Sequence, residues 1–173
     1  MILITKPKVA LIMGSDSDYP VLKSCIKILE DFGIDTQVRV MSAHRTPTDA
    51  SEFAQNARKN GVEVIIAAAG RAAHLPGVLA AYTTLPVIGV PVKASSMEGL
   101  DALLSIVQMP KGVPVATVAI DGADNAAVLA AQILGLKYPE IEKKLDIFKT
   151  EMADGVRERD AKLSKKIKES GEK

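Results

Sequence analysis

The stretch Val9-Ala10-Leu11-Ile12-Met13-Gly14-Ser15-Asp16-Ser17-Asp18-Tyr19-Pro20 decides how the rest of the chain is read. Five apolar residues stand in succession rather than alternating with polar ones, which is the pattern of a strand buried on both faces in a parallel sheet. Gly14 ends the run, four small polar residues follow, and Pro20 suits the first turn of a helix. The stretch therefore reads as strand, loop, helix. The same grammar recurs down the chain. Further strands are expected near Thr36 to Val40, Val62 to Ala67, Pro86 to Val90 and Pro114 to Ala119. Helices are expected over Tyr19 to Asp31, Pro47 to Asn60, Leu75 to Ala81, Gly99 to Gln108 and Ala123 to Leu134, several with a proline or capping residue at the start. Right-handed crossovers between successive strands then give an α/β three-layer sandwich around a mostly parallel, five-stranded, flavodoxin-like sheet.

Residues 1–137 form this expected domain, and residues 138–173 differ in character. The last 36 residues carry 10 Lys or Arg and 9 Asp or Glu, with Ile141, Leu145, Phe148, Met152 and Val156 at helical spacing. That segment reads as a helical arm packed on its own core or on a neighbouring subunit. The balanced charge and scarce aromatics count against a membrane-surface helix.

Composition narrows the function classes. The 173 residues are 47% hydrophobic and 25% charged, with a net charge of +1, so there is no basic field to attract nucleic acid or anionic lipid. Aromatic residues make up 3% and Trp is absent, which leaves few stacking surfaces for single-stranded nucleic acid or a flavin. The single cysteine, Cys25, can make neither an internal disulfide nor a cysteine metal cluster, and a cytoplasmic chain is expected. The N-terminal MILITKPKVALIM is interrupted by Lys and Pro, which fits neither a signal peptide nor a bilayer span.

In a doubly wound sheet, ligands bind beyond the carboxyl ends of the strands, so chemistry should gather in the strand-to-helix loops. In the first loop, Ser15 and Ser17 offer hydroxyls and Asp18 a carboxylate before a helix N-terminus, a setting for an anion. The same residues also make an ordinary capped turn. The glycines of a dinucleotide fingerprint and the Gly-Lys pair of a Walker loop are missing. The second loop sets Ser42, His44 and Arg45 side by side ahead of Pro47, combining a phosphate-matched guanidinium with an imidazole that moves protons near neutral pH. The third, from Ala68 through Ala69, Gly70 and Arg71 to Gly77, is small enough to let a planar ligand lie against backbone. His74 within it reads as a second acid/base or, more simply, as a capping or packing side chain. Two histidines without clustered cysteines or carboxylates make a poor metal site, and none is expected.

The motifs GSDSD at 14–18, SAHRTP at 42–47, AAHLPG at 72–77, PVIGVPV at 86–92 and SIVQMPKGVPVATVAI at 105–120 resemble the N5-carboxyaminoimidazole ribonucleotide mutase class of phosphoribosylaminoimidazole carboxylases. The resemblance runs from about Val9 to Leu134. It implies that Ser15 and the Ala69 to Ala73 loop face a migrating carboxylate, that Asp18 holds ribose hydroxyls, and that Ser17, Ser42 and Arg45 hold the 5′-phosphate. It places His44 on the family's catalytic histidine, requires no cofactor, and implies a homo-octamer, for which the apolar segments 86–92 and 103–109 offer surface.

One residue departs from the pattern. Arg71 stands where the mutase class usually has glycine and where the related branch, which carboxylates aminoimidazole ribonucleotide directly with CO2, tends to have arginine; it is expected at the rim or in a subunit contact. Direct carboxylation is therefore the runner-up. A non-enzymatic flavodoxin-like binding domain is the third reading, disfavoured because the end of the third strand carries Ala67-Ala68-Ala69 where a phospho-receiver needs an aspartate.

Overall fold

A computed structural model describes residues 6–94 and 96–170. Five strands, β1 (Lys8–Met13), β2 (Asp35–Val40), β3 (Val64–Gly70), β4 (Val87–Val92) and β5 (Ala116–Thr117), form one sheet in the order β2-β1-β3-β4-β5, every pairing parallel. Between them run α1 (Tyr19–Phe32), α2 (Pro47–Ala57), α3 (Leu75–Tyr82), α4 (Leu100–Val107) and α5 (Ala123–Gly135), and α6 (Pro139–Ser170) closes the chain.

Strand residues alternate between two cores. Val9, Leu11, Met13, Ile66 and Val90 face α1, α5 and the start of α6, whereas Ala10, Ile12, Ile65, Ala67 and Val87 face α2, α3 and α4. Both layers exclude water over β1, β3 and β4, which is why these strands read as continuous apolar runs, whereas the edge strand β2 is polar and largely exposed. The buried face of α5 is alanine, at 123, 126, 127, 130 and 131, so that helix can lie close to the sheet and α1.

Two strands differ from expectation. The third continues through Ala68, Ala69 and Gly70, residues of low strand propensity that the sequence assigns to the loop. Tertiary packing overrides propensity there, because Gly70 pairs with Val92 and a Cβ on it would meet the Val92 carbonyl at 3.2 Å. The fifth shrinks from six expected residues to Ala116–Thr117. Gly89 O and Pro91 O accept from Val118 N–H and Asp121 N–H beyond its end, but proline has no N–H to return, so the ladder stops.

The apolar segment 86–92 is not spare surface, contrary to what its composition suggests in the sequence. It is β4, buried at every position from 87 to 92 inside its own chain. Exposed apolar side chains lie instead on α4, where Leu100, Leu104 and Val107 share one face, 47–48% exposed. The arm is helical as expected. Ile141 and Leu145 are buried and Phe148 meets Phe32 edge-on at 5.8 Å, while Met152, Val156, Leu163 and Ile167 further along are exposed. Lys137 Nζ and Tyr138 Oη each donate to Glu63 at 2.6 Å, tying the start of the arm to the segment leading into β3. Among the described residues no helix is long and apolar enough to cross a membrane.

Candidate active site

The strand order reverses at β1, which has β2 on one side and β3 on the other. A crevice opens at such a switch point beyond the carboxyl ends of the strands. The loops after β1, β2 and β3 converge on it, and the residues after β4 close one wall. Together they enclose an open cavity of about 740 Å3. Every residue singled out in the sequence lines it: Ser15, Ser17, Asp18, Ser42, His44, Arg45, Ala69, Gly70, Arg71 and His74.

In the first loop, Ser15 Oγ accepts from the Ser17 backbone N–H at 3.3 Å and from Ser17 Oγ–H at 2.8 Å, capping the 3-10 turn Asp16–Asp18. Its own hydroxyl donates to Asp16 Oδ1 at 3.3 Å, so within the loop Ser15 both caps the turn and braces the neighbouring carboxylate. Asp18 precedes α1 but makes no side-chain cap bond and is buried at the cavity. Desolvation pushes its carboxyl above the ordinary carboxylate range, opposed by its hydrogen bonds to the Ser15 and Ser17 region.

The sign of that shift gives a test. A folded value above the unfolded one means that ionised Asp18 works against folding at neutral pH and ceases to do so as acid protonates it. Asp18→Asn should therefore melt higher than the parent at about pH 7, with the advantage shrinking towards about pH 4. Thermal melts at both values check this. A variant less stable by the same margin at both would mean that hydrogen bonds to the carboxylate outweigh its poor solvation.

The second loop is braced from within. Ser42 Oγ accepts from His44 N–H at 3.3 Å and from Arg45 N–H at 3.1 Å, and Thr46 Oγ1 accepts from Ser42 N–H at 3.0 Å while donating to Ser42 O at 3.3 Å. Thr46 is not legible as a site residue in the sequence, because its role lies in bonds back to residue 42 that spacing alone does not reveal. Arg45 Nη2 donates to Gly14 O at 3.3 Å, linking the first and second loops.

In the third loop His44 and His74 meet. His44 Nε2 and His74 Nδ1 are 2.8 Å apart, the rings edge-on at 79°. His74 makes no side-chain cap bond on α3, which overturns the simpler reading of it as a capping residue. Its ring is taken up by His44 across 30 residues of chain. One nitrogen of this contact must donate and the other accept. If His44 Nε2–H donates, His44 Nδ1 keeps a lone pair and can act as base; the opposite tautomer leaves it only a donor. The contact holds the His44 ring in place and ties its tautomer to that of His74.

Arg71 has φ 57°, in the left-handed region that costs a side-chain-bearing residue about 1–2 kcal/mol. A glycine would sit there without strain. The guanidinium lies exposed on the cavity rim. The cavity also takes in Val92, Lys93 and Ala94, which the sequence reading does not single out. The signal is present, since Val92 ends β4 and Lys93 and Ala94 follow it as the other site loops follow their strands. Lys93 is paired with Glu98, and its backbone N–H donates to Asp121 Oδ1 at 2.9 Å. Among the described residues no group of three or more His, Cys, Asp or Glu gathers as a metal site would need.

The profile of the AIR carboxylase family matches residues 8–155, from the first strand into the arm, and so takes in all four loops of the site. The chain belongs to the AIR carboxylase family. Among AIR carboxylase relatives, the N5-carboxyaminoimidazole ribonucleotide mutase of Pyrococcus abyssi is 60% identical over 152 residues, covering 88% of this chain and 87% of that protein. The mutase of Pyrococcus horikoshii is 57% identical over 166 residues, 96% of this chain and 92% of that protein. The crystal structure of Treponema denticola PurE superposes with a TM-score of 0.84 at 30% identity, covering 91% of this chain and 99% of that one.

Proposed function

We propose that the chain is an enzyme of de novo purine (IMP) biosynthesis that converts N5-carboxyaminoimidazole ribonucleotide to 4-carboxyaminoimidazole ribonucleotide. The observation that carries the reading is the His44–His74 contact at 2.8 Å inside a cavity that also presents Ser15, Asp18 and Arg45. Relatives named for this mutase activity, 57–60% identical over most of their length, supply the reaction class.

The substrate brings its own reactivity, because the aminoimidazole ring is electron-rich enough to act as nucleophile. In the reaction, the bond between the exocyclic nitrogen and its carboxylate breaks, CO2 is released into the cavity, and the nitrogen takes a proton from His44. C4 then attacks the CO2 carbon, and His44 recovers a proton as C4–H is lost and aromaticity returns. One imidazole thus gives and regains one proton, and the ribonucleotide is isomerised with no net change in atoms. Arg45 with Ser17 and Ser42 holds the 5′-phosphate, a guanidinium matching its geometry. Asp18 takes the ribose hydroxyls, and Ser15 with the backbone from Ala69 to Ala73 lies along the path of the carboxylate.

Assembly belongs to the same reading. The exposed face of α4 at Leu100, Leu104 and Val107 supports a homo-oligomer, proposed as an octamer in the cytoplasm. Light scattering should then report several times 18.4 kDa, and a monomer at micromolar concentration would count against it.

Turnover decides between the mutase and direct carboxylation. Purified protein should consume the carbamate substrate much faster than it carboxylates aminoimidazole ribonucleotide at millimolar bicarbonate. Equal or greater efficiency with bicarbonate would move the assignment to the carboxylating branch, and no turnover of either would end the enzymatic reading.

A further inference from the structure

The arm carries more apolar surface than its own chain covers. Ile141, Leu145 and Phe148 are followed by Met152, Val156 and Arg159 and then by Leu163 and Ile167, so one spacing recurs every 11 residues. At about 3.67 residues per turn such a stripe runs nearly straight along one face of a helix. Its first three members pack on the chain's own core, and the same face continues outward with Met152, Val156, Leu163 and Ile167 41–58% exposed. Every residue from 156 to 170 is exposed. In water most helical stability comes from packing an amphipathic face, and among the described residues nothing packs on this one.

The order of its residues says what covers it. About a point between Arg159 and Asp160, the outer half of α6 complements its own reverse: Met152 stands opposite Ile167, and Val156 opposite Leu163. Residues 151–158 hold Glu151, Asp154 and Glu158 against Arg157 alone, whereas residues 161–168 hold Lys162, Lys165, Lys166 and Lys168 and no acid. A parallel pair of such helices sets like charge on like, and an antiparallel pair sets each half on its opposite. At about 100° per residue, Glu151, Glu158, Lys162 and Lys166 fall on one flank of the stripe. A two-fold axis brings that flank against itself, Glu158 beside Lys162 and Glu151 beside Lys166 of the other copy. Asp154 and Lys165 are already paired within the helix, with Arg157 at 2.7 Å and Glu169 at 3.8 Å, and need no rearrangement.

We propose that the outer half of α6 is a self-recognition surface that packs antiparallel on α6 of a second copy of this chain, about a two-fold axis between residues 159 and 160. Met152, Val156, Leu163 and Ile167 of both copies are then buried together. The polar layer of Arg159 and Asp160 at the centre fixes the register, as polar layers do in coiled coils. So few side chains make a small interface on their own, and the pairing adds to the contact at α4 rather than replacing it. The inference concerns assembly and stands apart from the proposed reaction.

Oxidative cross-linking of the full-length protein reads the pairing directly. In Val156→Cys/Leu163→Cys the two positions of one helix are about 10 Å apart along its axis, too far for a disulfide within the chain, whereas antiparallel pairing sets each against its counterpart in the other copy. Both positions are exposed, so the variant should fold, and Cys25 is buried away from the oxidant. The double variant should become mostly covalent dimer, with position 156 joined to position 163 in peptide maps. Either single variant should give about tenfold less. Met152→Cys/Ile167→Cys repeats the measurement at the outer layer, so that the geometry of one layer does not decide the result. Adding Lys162→Glu/Lys166→Glu to the double variant should lower the yield roughly fivefold, and adding Glu151→Lys/Glu158→Lys to that should restore it. Single variants that link better than the double ones mean a parallel pair and overturn the inference, as does charge reversal without effect. If neither double variant links while the mass remains several times 18.4 kDa, the arm docks elsewhere and the inference falls, leaving assembly through α4 standing. A monomer overturns both.

Discussion

Replacing His44 with Asn should lower turnover of the carbamate by on the order of 100-fold or more while ligand affinity stays within about tenfold. A proton has to leave C4 after the new carbon–carbon bond forms, and the imidazole of His44 is the group placed to take it. Asn ends where Nδ1 stood, short of the Nε2 that meets His74, so that contact is lost while the hydrogen bonds among Ser42, Arg45 and Thr46 keep the loop's shape. What it cannot do is accept the proton. The companion variant His74→Asn removes the ring to which the His44 tautomer is tied, yet its amide oxygen can still accept from His44 Nε2–H. Its loss of turnover should therefore be smaller, about tenfold. Single-turnover rates and titrations on the same preparations separate chemistry from binding. A His44→Asn enzyme that keeps most of its turnover, or a His74→Asn enzyme that is the more impaired, would reassign the proton transfer.

How far this site can be read before the fold is known follows from what periodicity reports. Consecutive apolar residues in β1 and β3 announce burial on both faces, and that fixes a parallel sheet with functional loops at one edge. It also fixes which residues lie in those loops, from Ser15 to His74. Periodicity does not say which loops touch. His44 follows β2 and His74 follows β3, two strands that are not neighbours, and their rings meet only because the loops reach across the end of β1. Small residues mislead for a related reason. Ala68, Ala69 and Gly70 carry no strand signal of their own, yet strand pairing to β4 and the nearby Val92 carbonyl demand residues of that size. Likewise the run PVIGVPV resembles surplus apolar surface because a central strand and an interface strand share one composition.

That central strand contains the position where a single methyl group should cost most. Gly89 lies mid-way along β4, beneath α4, and a Cβ there would overlap Ile106 Cγ2 and stand 2.9 Å from Val115 Cγ1. Ile106 is fully buried, so its side chain has no solvent space to swing into. The added carbon must be accommodated by lifting α4 from the sheet or by forcing side chains off their rotamers. Overpacking of this kind costs about 1–3 kcal/mol, and obstruction on two sides points to the upper end. For a domain of this size the midpoint of thermal unfolding should fall by roughly 6–10 °C in Gly89→Ala, measured at one protein concentration because assembly also shifts it. The obstruction names its own suppressor. Ile106→Ala alone leaves a cavity and destabilises, but in the double variant the methyl introduced by Gly89→Ala takes part of the vacated space, so the two losses should sum to more than the double variant shows. Strict additivity, or a Gly89→Ala protein that melts with the parent, would mean that α4 yields freely. Because β4 carries Val92 to its pairing with Gly70 and leads directly to Lys93, such yielding would also loosen the cavity wall facing Arg71 and His74.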